Sequence, residues 1–220
     1  MCLRILIKIP TFVFMNTFKS SVQGYLWAFF SFIMANTIFV LTFSRQQQME
    51  LINLHYSVFF DAAFQFITNT AEVILPIVFL IWMILKKKEL IKPYVFSYAI
   101  STLVVQLLKH LVFKEALRPI LYFKHLNLKW HLVEGLAINE LNSFPSGHTN
   151  AAWWMYFWMA FLLPKKWMGI GMGLLAFSVA YSRVYLFQHF PIDTLVGAAL
   201  GCLISLLMNL IYADKLQKHA

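Results

Sequence analysis

The sequence predicts an all-α fold, a bundle of six transmembrane helices formed by a single domain over residues 1–220. Composition is the first reason, because hydrophobic residues make up 60% of the chain and charged residues only 12%. Soluble domains carry about 25% charged residues. The second reason is that charge-free apolar runs, such as 25–43 and 194–213, reach the roughly 20 residues that a helix needs to cross a hydrocarbon core.

The apolar runs define the elements in chain order. The six predicted spans are residues 25–43, 66–85, 93–113, 146–164, 167–183 and 191–212. Pro76 predicts a kink in the second span. Residues 1–24 are interpreted as a cytoplasmic lead-in and not as a removed signal peptide, since no clear cleavage site follows the first apolar stretch. Residues 44–65 mix polar and apolar side chains, which favours a helix lying in the membrane interface.

The placement of lysine and arginine predicts the orientation of the bundle. With a cytoplasmic N-terminus, the outer segments hold seven of the 18 basic residues: Arg45, Lys109, Lys114, Arg118, Lys124, Lys129 and Arg183. The other eleven fall in cytoplasmic segments, in clusters such as Lys86–Lys88, as the positive-inside rule expects. The net charge of +9 therefore indicates a lipid bilayer as partner and no nucleic acid. Residues 114–142 form a long polar outer loop, and loops of this length usually have a function.

A first motif, Phe-Pro-Ser-Gly-His-Thr at residues 144–149, opens the predicted fourth span. Pro145 favours the first turn of a helix. The backbone N–H groups of Ser146, Gly147 and His148 would then point at an anion bound at the helix N-terminus. Gly147 also lets the backbone approach such an anion closely. The motif therefore indicates an anion-binding helix start.

A second motif runs from Ser-Arg at residues 182–183 to Asp193, where one predicted span ends and the next begins. Charged groups are costly in apolar segments, so this cluster indicates a functional site. Arg118 and Arg183 offer planar forks that suit phosphate oxygens. His189 can attack phosphorus, while Asp193 accepts its other ring N–H. His148 can protonate the leaving group and then activate water against a phosphohistidine. This scheme requires no metal and no other cofactor.

The two motifs resemble those of the type 2 phosphatidic acid phosphatases, a family of metal-independent membrane phosphatases. That family carries a Lys-Arg-Pro motif, a Pro-Ser-Gly-His motif, and a third motif of Ser-Arg, five residues, His, three residues and Asp. The last two are present at residues 145–148 and 182–193. The resemblance implies that His189 is the nucleophile, His148 the acid–base and Asp193 the orienting carboxylate. It also implies phosphate contacts from Arg118, Ser146, Gly147 and Arg183.

The family's Lys-Arg-Pro motif is altered in this chain. Arg118-Pro119 is present, but Leu111 stands seven residues before the arginine, where the family has its lysine. Lys109 lies nine residues before Arg118, near the outer end of the third span, and is the predicted replacement. Lys114, four residues before the arginine, is the second choice.

The resemblance implies a lipid phosphate phosphatase, and the size of the chain and its long polar loop suit an enzyme of the bacterial inner membrane. The placement of lysine and arginine predicts an active site at the outer membrane–water interface, facing the periplasm. Candidate substrates are lipid A, undecaprenyl diphosphate, and phosphatidic acid or phosphatidylglycerol phosphate. The outer loop and the altered Lys-Arg-Pro motif favour a bulky substrate such as lipid A. Transfer of the phosphoryl group to another lipid alcohol is an alternative, and the oligomeric state is left open.

Other function classes fit the residues less well. A small transporter would spread ionisable residues through several spans near the midplane, whereas here they gather at one face. A haem-binding electron carrier would pair histidines across helices. The two cysteines form neither a disulfide framework nor a metal-ligand spacing. The aromatic residues, including Trp153, Trp154 and Trp158, are expected mostly to face lipid or to lie in the interfacial belts.

Overall fold

The computed structural model describes residues 18–71, 74–126 and 128–213, and within them it contains helices and no strand. The helices are α1 (Ser20–Thr42), α2 (Arg45–Asn53), α3 (Val58–Thr70), α4 (Ile74–Lys86), α5 (Ile91–Leu107), α6 (Pro119–Tyr122), α7 (Gly147–Leu162), α8 (Lys166–Tyr185) and α9 (Pro191–Ile211). A 3₁₀ turn, Lys88–Leu90, precedes α5, and a π-helical turn, Leu108–Val112, follows it. The predicted all-α fold class is confirmed.

The second predicted span differs most from the structure. It was expected at 66–85, whereas α3 already begins at Val58. The reason is a local cap, because the Ser57 hydroxyl accepts a hydrogen bond from the N–H of Phe60 at 3.2 Å and starts the helix early. Helix α3 is described to Thr70, with Ala71 as its C-cap, and α4 begins at Ile74, two residues before Pro76. Part of the predicted interfacial segment is therefore the start of α3.

Four helical stretches of the described residues are long and apolar enough to cross a membrane: Ser20–Thr42, Val58–Lys86, Lys88–Val112 and Pro191–Ile211. Helices α7 and α8 occupy the predicted fourth and fifth spans, but α7 has only 16 residues. The count of six spans and the side of the membrane that each end faces stay predictions. Of the predicted lead-in at 1–24, residues 1–17 lie outside the described residues.

Helix α7 lies at the centre of the bundle, packed against α5, α8, α9 and α1. Its side chains Trp153, Trp154 and Trp158 are fully buried. The indole N–H groups of Trp154 and Trp158 donate to the hydroxyl of Ser97 in α5, at 2.7 and 2.9 Å. The expectation that these tryptophans face lipid or belong to a belt was wrong, because all three are buried inside the bundle and the N–H groups of Trp154 and Trp158 find a partner there.

Two glycines allow α9 to lie close against α7. A Cβ atom on Gly197 would collide with the carbonyl oxygen of Ser146, and one on Gly201 with the carbonyl oxygen of Asn150. Small residues at a helix contact let two backbones approach closely. The N–H of Ser146 also donates to the carbonyl oxygen of Asp193 at 3.0 Å. The two sequence motifs therefore meet at the adjacent N-termini of α7 and α9.

The bundle has two chemically different ends. At the lysine end, defined here by Lys19, Lys87 and Lys166, the ammonium groups of Lys19 and Lys166 lie over the rings of Phe161 and Trp27, at 4.6 and 5.5 Å. The opposite end, called the site end, contains the C-termini of α5 and α8 and the N-termini of α7 and α9. Both motifs lie at the site end, as the sequence predicted.

Gly201→Ala is expected to lower the melting temperature, because the new methyl group must push α9 away from the backbone of α7. Overpacking of this kind costs about 1–3 kcal/mol. Gly171→Ala in α8 is the matched control, since a Cβ atom there meets nothing within 4 Å. Alanine should stabilise that helix by roughly 1 kcal/mol. Thermal unfolding in detergent, followed by circular dichroism, tests both variants. Equal melting temperatures would contradict the close contact between α7 and α9.

Candidate active site

The start of α7 presents backbone donors at the site end. Ser146 is the N-cap, and its hydroxyl accepts hydrogen bonds from the N–H and the hydroxyl of Thr149 at 3.4 and 2.9 Å. Its own N–H donates to Asp193, so Gly147 and His148 supply the remaining predicted donors. A Cβ atom on Gly147 would meet only one side-chain carbon, 4.0 Å away. The space beside this helix start is therefore open.

The turn between α8 and α9 holds His189 in place. The N–H groups of Gln188 and His189 both donate to the carbonyl oxygen of Arg183, at 3.0 and 3.2 Å. This closure requires Phe187 to adopt a left-handed conformation, with φ 60°, which is unfavourable for a bulky residue. The ring of Phe187 is fully buried against that of Trp130, at 5.0 Å, and this packing offsets the backbone cost.

Asp193 lies behind the histidine. Its Oδ2 atom is 3.4 Å from Nδ1 of His189, and it accepts hydrogen bonds from the hydroxyl of Ser143 at 2.6 Å and the N–H of Phe190 at 2.9 Å. The 3.4 Å contact is within ion-pair distance, but Nδ1 makes no hydrogen bond within the described residues. Contacts of this kind are often long in the free enzyme and tighten when substrate binds. Asp193 is thus fixed beside the ring.

His189 is buried among positive charges. Burial first, and then the charges of Arg118, Arg183 and Lys109, hold the pKa of His189 well below its ordinary value of 6.5. The neighbouring His148 acts in the same direction. The structure therefore brings all five of these predicted side chains to one place. Burial and these charges favour the neutral imidazole, which is the form that can act as a nucleophile.

Arg118 reaches this place from the outer loop. Its Nε–H donates to the carbonyl oxygen of Leu141 at 3.0 Å. Its Nη1 donates to both the side-chain and the backbone oxygen of Gln188, at 2.9 and 3.2 Å. The side chain of Arg118 is buried, so these contacts fix its orientation.

Arg183 is held by a hydrogen bond to α3, a helix that the sequence analysis did not connect with the site. Its Nη1 donates to the hydroxyl of Thr68 in α3, at 2.9 Å. Both residues are buried. Because α3 packs against α8, a residue far away in the sequence can position this guanidinium. Thr68 is therefore a structural partner of the predicted phosphate-binding arginine.

The structure distinguishes Lys109 from Lys114, the two lysines considered for the altered Lys-Arg-Pro motif. Lys109, in the π-helical turn, donates from Nζ to the carbonyl oxygen of Asn142 at 3.1 Å and is close enough to interact electrostatically with Arg118 and Asp193. Lys114 is largely exposed and lies 4.0 Å from the carboxylate of Glu115. Lys109 is thus placed at the site.

A second polar cluster anchors the outer loop to α2, α3 and α8. Nε2 of His131 lies 2.9 and 3.1 Å from the two carboxylate oxygens of Asp61, and the hydroxyl of Tyr185 donates to Asp61 at 2.6 Å. Asn53 exchanges two hydrogen bonds with the backbone of His131, at 2.8 and 2.7 Å. The ring of Tyr56 stacks on that of His131, with centroids 3.8 Å apart.

Sequence reasoning missed Ser143, Gln188 and Thr68. The first two have a local signal, since Ser143 comes directly before the first motif and Gln188 directly before His189. Thr68 has none, because its partner lies 115 residues away. Within the described residues, no group of three or more His, Cys, Asp or Glu side chains could hold a metal ion. Imidazole, guanidinium, ammonium and a single carboxylate instead suit an anionic ligand.

Comparisons with known proteins agree with this chemistry. The family model of the PAP2 superfamily matches residues 90–217, more than half of the chain. The chain is 36% identical over 58 residues to the lipid A 4'-phosphatase of Bacteroides thetaiotaomicron, a match covering 26% of each protein. It is 30% identical over 138 residues to the candidate undecaprenyl-diphosphatase YbjG of Escherichia coli (strain K12), covering 61% of this chain and 64% of that protein.

Both of these matches span less than two thirds of the length of the curated relative. A structural comparison covers more. The crystal structure of Aquifex aeolicus LpxE superposes on the chain with a TM-score of 0.63 and 26% sequence identity, covering 73% of this chain and 91% of that one. The likeness therefore extends from the motifs to most of the helical bundle.

We expect His189 to remain neutral when the pH is lowered from 7.5 through 6.5, because burial and the surrounding positive charges disfavour its protonation. The ¹³C chemical shift of its imidazole, assigned by comparison with His189→Gln, should stay constant over this range. The exposed His125 is the internal reference for an imidazole in contact with water. A midpoint for His189 at or above pH 6.5 would contradict the charge arrangement described here.

Proposed function

The chain belongs to the PAP2 superfamily, and we propose that it hydrolyses a lipid phosphomonoester or diphosphate through a phosphohistidine formed on His189. The observation that carries this proposal is a buried, neutral His189 with a carboxylate behind it and cations around it. We place the enzyme in a bacterial inner membrane, with the site at the outer membrane–water interface.

The proposed first step is attack by Nε2 of His189 on phosphorus. Nδ1 faces Asp193, so Nε2 is the nitrogen left for the substrate, and Asp193 stabilises the tautomer with its proton on Nδ1. As the N–P bond forms, the bond between phosphorus and the lipid oxygen breaks. His148 gives its proton to that oxygen, and the lipid alcohol or lipid phosphate leaves.

In the proposed second step, His148 removes a proton from water, and the resulting hydroxide attacks phosphorus. The N–P bond breaks, inorganic phosphate is released, and neutral His189 is restored. In both steps the equatorial oxygens of the phosphoryl group carry negative charge. Arg118, Arg183 and Lys109 are positioned to neutralise that charge, and the N–H groups at the start of α7 add oriented dipoles.

An apolar cavity at the same end of the bundle supports a lipid substrate. Its volume is about 250 Å³, and it lies between α1, α2, α8 and the start of α9. Phe39, Ile52, Val184 and Pro191 contribute to its lining. A soluble phosphate ester would gain nothing from this surface, whereas burying an acyl or prenyl chain there is favourable by the hydrophobic effect.

We propose lipid A and undecaprenyl diphosphate as the first substrates to test. The relatives named above support both, and phosphatidic acid and phosphatidylglycerol phosphate complete the panel. The outer loop, tied to the bundle through His131, supports a bulky headgroup such as that of lipid A. Hydrolysis is preferred to phosphotransfer, because His148 lies at the open start of α7, where water can reach it.

Detergent-purified protein should release inorganic phosphate from one lipid of this panel with a metal chelator present. His189→Ala should lower the rate by at least about 10³-fold, because the nucleophile is lost. His125→Ala, a change of an exposed histidine in the outer loop, is the control and should leave the rate unchanged. Acid-quenched enzyme should carry an acid-labile phosphoryl group in the wild type but not in His189→Ala.

Two results would overturn this function. Phosphate release that requires a metal ion, or that survives in His189→Ala, would exclude the phosphohistidine pathway. Label that appears on a second lipid, with no inorganic phosphate formed, would establish phosphotransfer instead.

Ser143→Ala should lower kcat about tenfold or more, because it removes a buried hydrogen bond to the Asp193 carboxylate, and such charge-assisted bonds contribute about 1.5–3 kcal/mol. Ser205→Ala is the matched control. Ser205 is equally buried, but its hydroxyl donates to the carbonyl oxygen of Gly201 within α9, away from the site. An equal loss of kcat in both variants would show a general packing effect and would contradict a role for Ser143 in positioning Asp193.

A further inference from the structure

The guanidinium of Arg118 is fixed entirely by neutral oxygens. Its Nε–H and both N–H groups of Nη1 donate to two carbonyl oxygens and one amide oxygen. None of the ion pairs found among the described residues includes Arg118. Three of the five guanidinium N–H groups are therefore engaged, and the pair on Nη2 is left for a ligand.

Gln188 supplies two of these three contacts. Its side-chain oxygen lies 2.9 Å from Nη1 of Arg118, and its backbone oxygen lies 3.2 Å from the same atom. Its side-chain N–H donates to the carbonyl oxygen of Ala137 at 3.0 Å. The side chain is 3% exposed and directly precedes His189. One amide thus connects the outer loop, a phosphate-binding arginine and the turn that carries the nucleophile.

The neutrality of this amide has a physical consequence. A carboxylate at the same position would hold Arg118 equally well, but it would cancel the positive charge that attracts phosphate. An amide oxygen fixes the geometry without adding a second negative charge to that of Asp193, which already interacts electrostatically with Arg118. The amide N–H, which a carboxylate lacks, is also needed for the bond to Ala137.

We propose that Gln188 is a positioning residue that sets the affinity of the site for the phosphoryl group by orienting Arg118 with a neutral acceptor. The inference rests on the proposed function, since it assigns Arg118 to the phosphate. It further implies that the outer loop and the phosphate site move together, because Ala137 and Arg118 are held by the same side chain.

The test is a titration of the full-length protein in detergent with inorganic phosphate, read as a rise in melting temperature. Gln188→Met keeps the size of the side chain and removes both hydrogen bonds, so phosphate should bind about tenfold more weakly. Gln188→Glu keeps an acceptor for Arg118 but neutralises the guanidinium charge. This variant should weaken phosphate binding by at least as much. If Gln188→Met does not fold, Gln188→Glu decides.

Gln48→Met is the matched control. Gln48 is also a buried glutamine, and its amide donates to the carbonyl oxygens of Val40 and Phe43, outside the site. This variant should lower the melting temperature without changing phosphate affinity. In turnover assays the Gln188 variants should raise KM more than they lower kcat, which a general loss of packing would not do.

A double-mutant cycle shows whether Gln188 acts through Arg118. Phosphate affinity should be the same in Arg118→Ala and in Gln188→Met combined with Arg118→Ala, because the amide has no guanidinium left to orient. Additive losses, wild-type affinity in Gln188→Met, or no phosphate binding by the wild type would each overturn the inference. Phosphate binding that follows the expected pattern without any lipid hydrolysis would overturn only the proposed function.

Discussion

The site depends on Asp193, because this residue joins the two chain segments that supply the chemistry. Its carbonyl oxygen accepts a hydrogen bond from the N–H of Ser146 at the start of α7. Its carboxylate accepts hydrogen bonds from the hydroxyl of Ser143 and the N–H of Phe190. The same carboxylate faces the ring of His189. These contacts form only if α7 and α9 are close, which is why glycines line their contact. The geometry of the site therefore depends on the close packing of α7 against α9.

Three cationic side chains surround His189, and their charges disfavour protonation of its imidazole. Arg118, Arg183 and Lys109 all act on His189, and their mutual repulsion is unfavourable in a partly buried place. A phosphate dianion removes that repulsion when it binds, so the free site is poised to bind an anion. The cost is offset elsewhere, by the buried aromatic core around α7 and by the packing of Phe187.

Much of the fold could be predicted from the sequence, because apolar runs and helix punctuation are local. The last predicted span, 191–212, coincides with α9 to within a residue, since Pro191 fixes its start. The motif residues also come together as their spacing suggested. The partners of those residues could not be predicted, because a contact such as that of Thr68 with Arg183 joins distant positions and leaves no periodic pattern. The start of α3 was missed because Asp61 and Gln65 interrupt its apolar run.

The outer loop supplies Arg118 to the site, and hydrogen bonds hold the loop to the rest of the protein at two places. Near its middle, His131 is fastened to Asp61 and Asn53, beside the end of α8. At its base, Ala137 is bonded to Gln188, which also orients Arg118. A headgroup that displaced the loop would therefore also displace Arg118, the cation that we propose for phosphate binding. Under the proposed function, the fastened loop would contribute to substrate selection, because displacing it would disturb the proposed phosphate site.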